Sequence, residues 1–463
     1  MEHKDKTMDK IVALTKRRGF VFQGSEIYGG LAGAWDLGPL GVALANNLKN
    51  AWWKMFVDGR EDMYGLDASI LMNEKVWEAS GHTGAGFSDP LVVCNACGKR
   101  QRADHVLKDN GTHDTDGLTL EACNERFQRD EHITCPLCGK REWGEVKNFN
   151  LMFETKVGAQ GDVRSYLRPE TAQGIFVNFK NVIDSMSPKI PFGIAQIGKA
   201  FRNEIAPREF LFRVREFEQM EIEYFIREED WKTLFEAWRE DIWKWIDYIG
   251  LNRIHVREYE VPEDDLAHYS KRTIDFEYDF PGKGFDELLG FAYRTDHDLR
   301  SHMNASGVSL EYINPDGTRF IPHVLEPSFG VGRALVAVLT EAYTEDEMNG
   351  EKRVVLKLPP HLAPYRAAVS PLLKNKPELV SKARDVFMML KKEFGNVAWD
   401  DNGNVGKRYR RQDEIGTPAC VTIDFETLGQ EDVSLKDTVT VRDRDTGAQA
   451  RVSIAELCAY LKK

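Results

Sequence analysis

Across residues 193–225, apolar and polar positions alternate with a period of two on either side of a polar break. This pattern predicts two long strands joined as an antiparallel hairpin. On the second strand Gln219, Glu221 and Glu223 face one way, while Met220, Ile222 and Tyr224 face the other. Elsewhere the apolar spacing changes to three and four, the mark of helices. One such helix is expected over residues 8–19, stopped by Gly19, and another from Leu40 through Leu44, Leu48, Trp52 and Met55. A third begins at Thr171, with Ile175 and Phe179 on one face. Asp230 precedes a stripe of Trp231, Leu234, Trp238, Ile242 and Trp245 that ends at Gly250, and such a stripe reads as packing. Residues 252–285 alternate as short strands and read as an insertion, followed by an apolar strand over 285–294. Gly330 and Gly332 open a helix whose apolar face is Leu335, Val336, Leu339 and Ala342. A polar turn near 344–353 marks a boundary. Beyond it, strands at 354–358, 421–425 and 439–441, a helix at 377–394 and a capping box at 453–456 predict a separate α/β domain.

Composition narrows the class. The chain has 463 residues, 42% hydrophobic and 29% charged, the balance of an ordinary globular enzyme of two to four domains. No apolar run approaches the ~20 residues needed to cross a bilayer. The charged stretch from Met1 to Lys10 lacks an apolar signal core, so a cytoplasmic location is expected. The net charge of −12 weighs mildly against a nucleic-acid partner, although local patches decide such binding.

Several residues stand out chemically. Arg202, Arg208, Arg213 and Arg215 crowd the hairpin tip, which suits either a polyanion or a solvated surface laced with ion pairs. Arg333 sits in the first turn of its helix, where a cation opposes the helix dipole unless an anion binds there. Cys94, Cys97, Cys135 and Cys138 form two Cys-x-x-Cys-Gly turns, a full tetrahedral set for structural zinc, with free reduced thiols as the alternative. The long excursion between them holds Asp109, Gly111, Asp114, Asp116 and Gly117 and reads as a loop. Cys123, Cys420 and Cys458 read as buried thiols. Glu170 lies at a strand-to-helix junction, where either a site residue or a dipole-favoured surface acid fits. Lys407, Arg408, Arg410 and Arg411 surround Tyr409 in a basic patch, which is otherwise a solvated helix face.

The sequence from Phe201 to Arg208, then Arg213, Phe217 and Glu218-Gln219-Met220-Glu221, resembles the second signature motif of class II aminoacyl-tRNA synthetases, in the wording of the glycyl-tRNA synthetase family. Pro39 and the helix after it resemble the first motif, which builds the dimer interface in that family. The Gly330–Arg333 segment resembles the third, and 406–418 the anticodon-binding domain. The resemblance spans nearly the whole chain, in order. It implies an α+β catalytic domain over 1–350, built on a class II synthetase-like antiparallel sheet flanked by helices. That domain would carry a zinc-binding insertion at about 84–148 and a second at about 226–285, with an α/β anticodon-binding domain over 351–463. It also implies ATP-dependent attachment of glycine to tRNA by a single-chain homodimer, with Mg2+ as cofactor. By family position, Arg202 grips the α-phosphate, Arg213 and Arg333 the outer phosphates, and Phe217 the adenine face, with Arg202 and Arg333 catalytic. Glu204, Glu216 and Glu287 bind adenosine or the metal. Asn203, Phe212, Val214, Arg215, Leu288, Gly330, Val331 and Gly332 complete the ATP site. Glu170, Glu221 and Glu326 cage the glycine ammonium, with Arg102, Phe217, Glu218, Gln219, Met220, Arg294, Pro327, Ser328, Phe329 and Gly330 around it. Glu223, on the same face as Glu221, is expected to lie further from substrate. Lys407, Arg408, Arg410 and Arg411 face the tRNA. A class II synthetase for another amino acid would alter the surroundings of Glu170, Glu221 and Ser328. A non-catalytic nucleic-acid-binding relative would lose Arg202 or Arg333, and this chain keeps both.

Overall fold

The computed structural model describes residues 7–84, 87–112, 118–161, 163–207, 210–348, 350–430 and 432–462. Arg208, Asp114, Asp116 and Gly117 lie outside them. A seven-stranded sheet forms the centre of the fold. Its strands are β1 (Met63–Gly65), β2 (Phe192–Phe201), β3 (Glu216–Ile226), β4 (Val256–Glu260), β5 (Arg272–Phe280), β6 (Gly284–Thr295) and β7 (His323–Gly330). The spatial order is β4-β5-β6-β7-β3-β2-β1, antiparallel throughout except where short β1 runs parallel to β2. The expected hairpin is β2–β3, paired from Glu216 with Phe201 to Phe225 with Phe192.

One face of the sheet is apolar. Met220, Ile222 and Tyr224 of β3 point into it, as their parity requires. Helices α1 (Pro39–Trp53), α3 (Trp231–Tyr248) and α4 (Val331–Ala342) cover that face with Leu44, Trp52, Trp238, Trp245 and Leu335. Each such fully buried side chain contributes about 1.5–3 kcal/mol. Helix α2 (Ala172–Met186) covers part of the opposite face, setting Ile175, Phe176 and Phe179 against Phe192, Ile194 and Phe225. The rest of that face stays polar and forms the floor of a cleft.

Three expectations change here. Residues 226–285 do not stand apart as a separate unit: α3 belongs to the main core, and β4 and β5 continue the central sheet through β6. Local alternation identifies strands but not the sheet they join. The polar turn at 344–353 is instead a hairpin of Tyr343–Met348 with Glu351–Leu356. Its Arg353 is buried, binding Asp346 across the hairpin and Asp413 beyond it. Ser453 accepts from the Ala455 amide, and the last helix starts only at Leu457, so no capping box forms.

The 88–150 segment folds on its own small core of Val92, Val106, Leu107, Phe127 and Val146 beside a three-stranded sheet. The C-terminal region is a five-stranded sheet in the order 397–399, 367–371, 419–423, 438–443, 449–453. The first three strands are parallel and the last two antiparallel, and helix Pro377–Phe394 packs on them. Among the described residues no helix is long and apolar enough to cross a membrane.

Candidate active site

The polar face of the sheet opens into a cleft of about 590 Å³, walled by β3, β5, β6, β7 and the loop after β2. At one end, basic groups gather. The Arg202 guanidinium lies 5.5 Å from the Phe217 ring and 5.6 Å from that of Phe87, its Nε donating to the Pro169 carbonyl at 3.1 Å. Among the described residues, a buried Nη1 of Arg213 has no partner, and a buried Oε2 of Glu204 likewise. Arg333 occupies the first turn of α4, whose N-cap is Gly330. Its Nη1 donates to the Glu287 backbone carbonyl at 2.9 Å and to Glu287 Oε2 at 2.8 Å, and the guanidinium lies 4.5 Å over Phe212. Glu287 thus supplies the counter-charge that the helix dipole withholds, and Arg333 holds the Glu287 carboxyl below its usual range. Asp275, across the sheet from Gly290, also lines this end, and burial together with Glu287 pushes its carboxyl up to about 7. Gly332 lets the backbone approach, since a Cβ there would stand 2.9 Å from the Leu211 carbonyl oxygen.

The other end is acidic. Glu221 is buried and accepts from Ser328 Oγ at 2.8 Å, Gln219 Nε2 at 3.3 Å and Thr171 Oγ1. Glu326 accepts from Arg294 Nη1 at 2.7 Å, and Arg294 also grips Asp298 with two bonds of 2.8 and 2.9 Å. Glu170 accepts from Gln173 Nε2 at 3.0 Å and lies 3.3 Å from His82 Nε2. Burial disfavours the Glu170 ion, but His82 outweighs it and holds the carboxyl low. Burial and then the Glu170 charge raise Glu221, and burial pushes Glu326 up to about 8 against the pull of Arg294. Arg294 faces Glu170, Glu221, Glu326 and Asp298, so buried carboxyl groups outnumber that guanidinium at this end of the cleft.

Two stretches match known families: residues 153–343 the tRNA synthetase class II core domain (G, H, P, S and T), and 366–463 the anticodon binding domain. Over its length the chain is 50% identical to the glycine–tRNA ligase of Clostridium acetobutylicum, covering 99% of both chains. It is 51% identical to that of Geobacillus thermodenitrificans (99% of this chain, 97% of the relative) and 48% to that of Deinococcus radiodurans (98% of each). The chain belongs to the glycine–tRNA ligases.

In this glycine–tRNA ligase the cleft brings together Arg102, Glu170, Arg202, Glu204, Phe212, Arg213, Val214, Phe217, Glu218, Gln219, Glu221, Glu287, Leu288, Arg294, Glu326, Ser328, Gly330, Gly332 and Arg333. Arg102 enters from the cysteine-bearing segment, held by Asp89 at 2.9 Å and Asp104 at 2.7 Å. Other expected contacts lie elsewhere. Met220, Phe329 and Val331 belong to the apolar core beneath the sheet, and Asn203 and Pro327 do not line the cleft. Glu216 is exposed and pairs with Lys199. Arg215 donates to the Glu204 and Ala32 carbonyls, tying the hairpin tip to the loop before α1. There Gly33 lies so close that a Cβ would fall 2.3 Å from Pro207. Glu223, which does not line the cleft, is fully buried. Arg408 is also buried, donating to the Asp401 and Gly403 carbonyls and to that of Pro371. It is therefore a structural residue and not part of a tRNA-facing patch. Arg410 pairs with Glu351 and Arg411 with Asp400, while Lys407 is exposed. Sequence reading missed His82, Gln173 and Asp298. Asp298 opens the helix after the Arg294 strand, and no local pattern marked either it or His82.

The cysteines meet as their spacing predicts. Cys94 and Cys138 Sγ lie 3.7 Å apart, Cys97 and Cys135 Sγ 3.9 Å, and all four fall within 4.8 Å of one another. Zinc–sulfur bonds of about 2.3 Å in a tetrahedron require sulfur–sulfur edges of about 3.8 Å, so the set fits zinc. Gly98 and Gly139 take φ of +69° and +71°, which closes each turn.

Proposed function

We propose that the cleft activates glycine with ATP and that the adenylate is then passed to the 3′ end of tRNA, the chain acting as a cytoplasmic homodimer. The glycine carboxylate attacks the α-phosphate and pyrophosphate leaves, so no protein nucleophile is needed. Catalysis is positioning and charge stabilisation. Arg202 would bind the α-phosphate, and Arg213, whose Nη1 has no partner among the described residues, and Arg333 the outer phosphates. Phe217 offers its ring to adenine. Mg2+ entering with ATP would be held by Glu287 and Glu204, and it offsets phosphate charge. Glu170, Glu221 and Glu326 would take the ammonium, and Ser328 and Gln219 hold Glu221 in place. The single observation that carries this reading is the acidic end of the cleft, where Glu170, Glu221 and Glu326 converge around the one guanidinium of Arg294. Glycine has five heavy atoms, so binding is limited to roughly −7.5 kcal/mol, micromolar at best. Every competitor is larger, so exclusion by size suffices without editing.

Cys94, Cys97, Cys135 and Cys138 would hold one structural zinc. Lys407, Arg410 and Arg411 would face the anticodon arm. The α1 stripe is spent on this chain's own core, but Ile27, Tyr28, Leu31 and Val42 beside it remain exposed, which supports a subunit contact there. ATP–pyrophosphate exchange over all amino acids tests the assignment. Glycine alone should drive it, and exchange with another amino acid instead would overturn it.

A further inference from the structure

Beside the acidic end of the cleft lies a carboxyl group that has no task in this scheme. Glu223, two residues beyond Glu221 on β3, is completely enclosed, and among the described residues no donor bonds either of its oxygens. One oxygen each from Glu221, Glu223 and Glu326 lies within 4.8 Å of the others. Three buried carboxylates this close cannot all ionise. The hydrogen bonds determine which one stays neutral. Glu221 receives donors on both oxygens, from Ser328, Gln219 and Thr171. Glu326 receives the Arg294 guanidinium. Glu223 receives none among the described residues, so its ion has the least support.

We infer that Glu223 is a protonated positioning residue, whose O–H braces the Glu326 carboxylate and keeps the glycine cage suited to one positive charge. The groups facing it are Glu221 on its own strand, Glu326 on β7, Arg294 on β6 and Asp298 on the following helix. The one cation among them is already engaged by Asp298 and Glu326. Burial first, then the Glu326 charge, push the Glu223 carboxyl well above the carboxylate range, in keeping with the geometry. Were Glu223 ionised, three converging carboxylates would offer a ligand set for a divalent cation. The cleft must admit magnesium with ATP, so such a site would compete with the ammonium. A neutral Glu223 leaves for glycine Glu221 and, as the bound ammonium favours its ion, Glu326.

This inference rests on the glycine-cage reading, and the test separates the two. Pyrophosphate exchange is measured for wild type, Glu223→Gln, Glu223→Leu and Glu221→Gln, with glycine and ATP varied in turn. Glu223→Gln keeps a donor without charge, so its Michaelis constant for glycine should stay within about twofold of wild type. Its pH profile for glycine between about pH 6 and 8.5 should superimpose on that of wild type. Glu223→Leu removes the donor and should raise the glycine constant roughly tenfold, leaving that for ATP unchanged. A rise in Glu223→Gln as large as in Glu221→Gln would overturn the inference, because Glu223 would then carry charge. An unchanged constant in Glu223→Leu would overturn it too, because the side chain would be mere packing. Should Glu223→Leu fail to fold, Glu223→Gln and its pH profile still decide, since an ionised Glu223 alters both. An unchanged glycine constant in Glu221→Gln would instead overturn the cage reading.

Discussion

Arg408→Gln separates a structural charge from a tRNA contact. The Arg408 side chain lies on the helix Val405–Glu414, with 3% of its surface exposed. It donates to the Gly403 carbonyl at 2.9 Å, the Asp401 carbonyl at 3.2 Å and the Pro371 carbonyl. These bonds tie the loop before the helix to the end of the strand Ala367–Pro371. A hydrogen bond to a charged donor contributes about 1.5–3 kcal/mol, and glutamine can replace at most part of this set. The substitution should therefore cost about 3 kcal/mol of stability, read as a lower urea midpoint for the C-terminal region. Lys407→Gln, one residue earlier and exposed, should leave stability within about 0.5 kcal/mol. It should instead reduce the salt slope of tRNA binding by about one. A normal urea midpoint in Arg408→Gln, combined with a reduced salt slope, would refute this assignment.

Metal analysis of protein purified without chelator should find one zinc per chain, and Cys97→Ala should lose it and unfold the 88–150 segment, because structural zinc contributes about 10–16 kcal/mol in small modules. Protein free of zinc would remove that claim. Arg333→Gln should lower kcat/KM for ATP in pyrophosphate exchange roughly tenfold to a hundredfold, the range for one charge-assisted bond, and an unaffected constant would remove Arg333 from the ATP site. The Glu326 carboxyl, raised to about 8, gives two pH effects. Between the ordinary carboxylate range and about pH 8 the native chain holds a proton that the unfolded chain has lost, so this group's share of stability falls as pH rises through that window. Glycine binding favours the ionised form, so the glycine-induced rise in melting temperature should grow from about pH 6 to 8, and a flat response would contradict the role.

Much of this architecture follows from periodicity. The period of two places β2 and β3, and parity puts Met220, Ile222 and Tyr224 into the core and Glu221 on the opposite face. Gly19, Gly250 and Gly395 end helices where the spacing says they should, each with positive φ. What escaped the sequence depends on contacts between distant segments. β4 and β5 look local but join the central sheet, because pairing partners are chosen by tertiary packing. Parity assigns Glu223 a face, but not the enclosure that seals it. Arg408 reads as a surface cation because its acceptors are backbone carbonyls of distant loops, which no side-chain pattern records. The motif residues were legible as stretches, yet strand alternation sends every second one, such as Met220 and Phe329, away from the cleft.

The central claim is that Glu221, with Glu170 and Glu326, holds the glycine ammonium. Pyrophosphate exchange kinetics of Glu221→Gln, with glycine varied at fixed ATP and then the reverse, test it most directly. Glu221 is fully enclosed and held by Ser328, Gln219 and Thr171, so the amide should occupy the same place and remove only the charge. The loss of a charge-assisted bond, about 1.5–3 kcal/mol, predicts a Michaelis constant for glycine raised roughly ten- to a hundredfold, with that for ATP far less affected. An unchanged glycine constant, or a defect confined to ATP, would contradict the assignment.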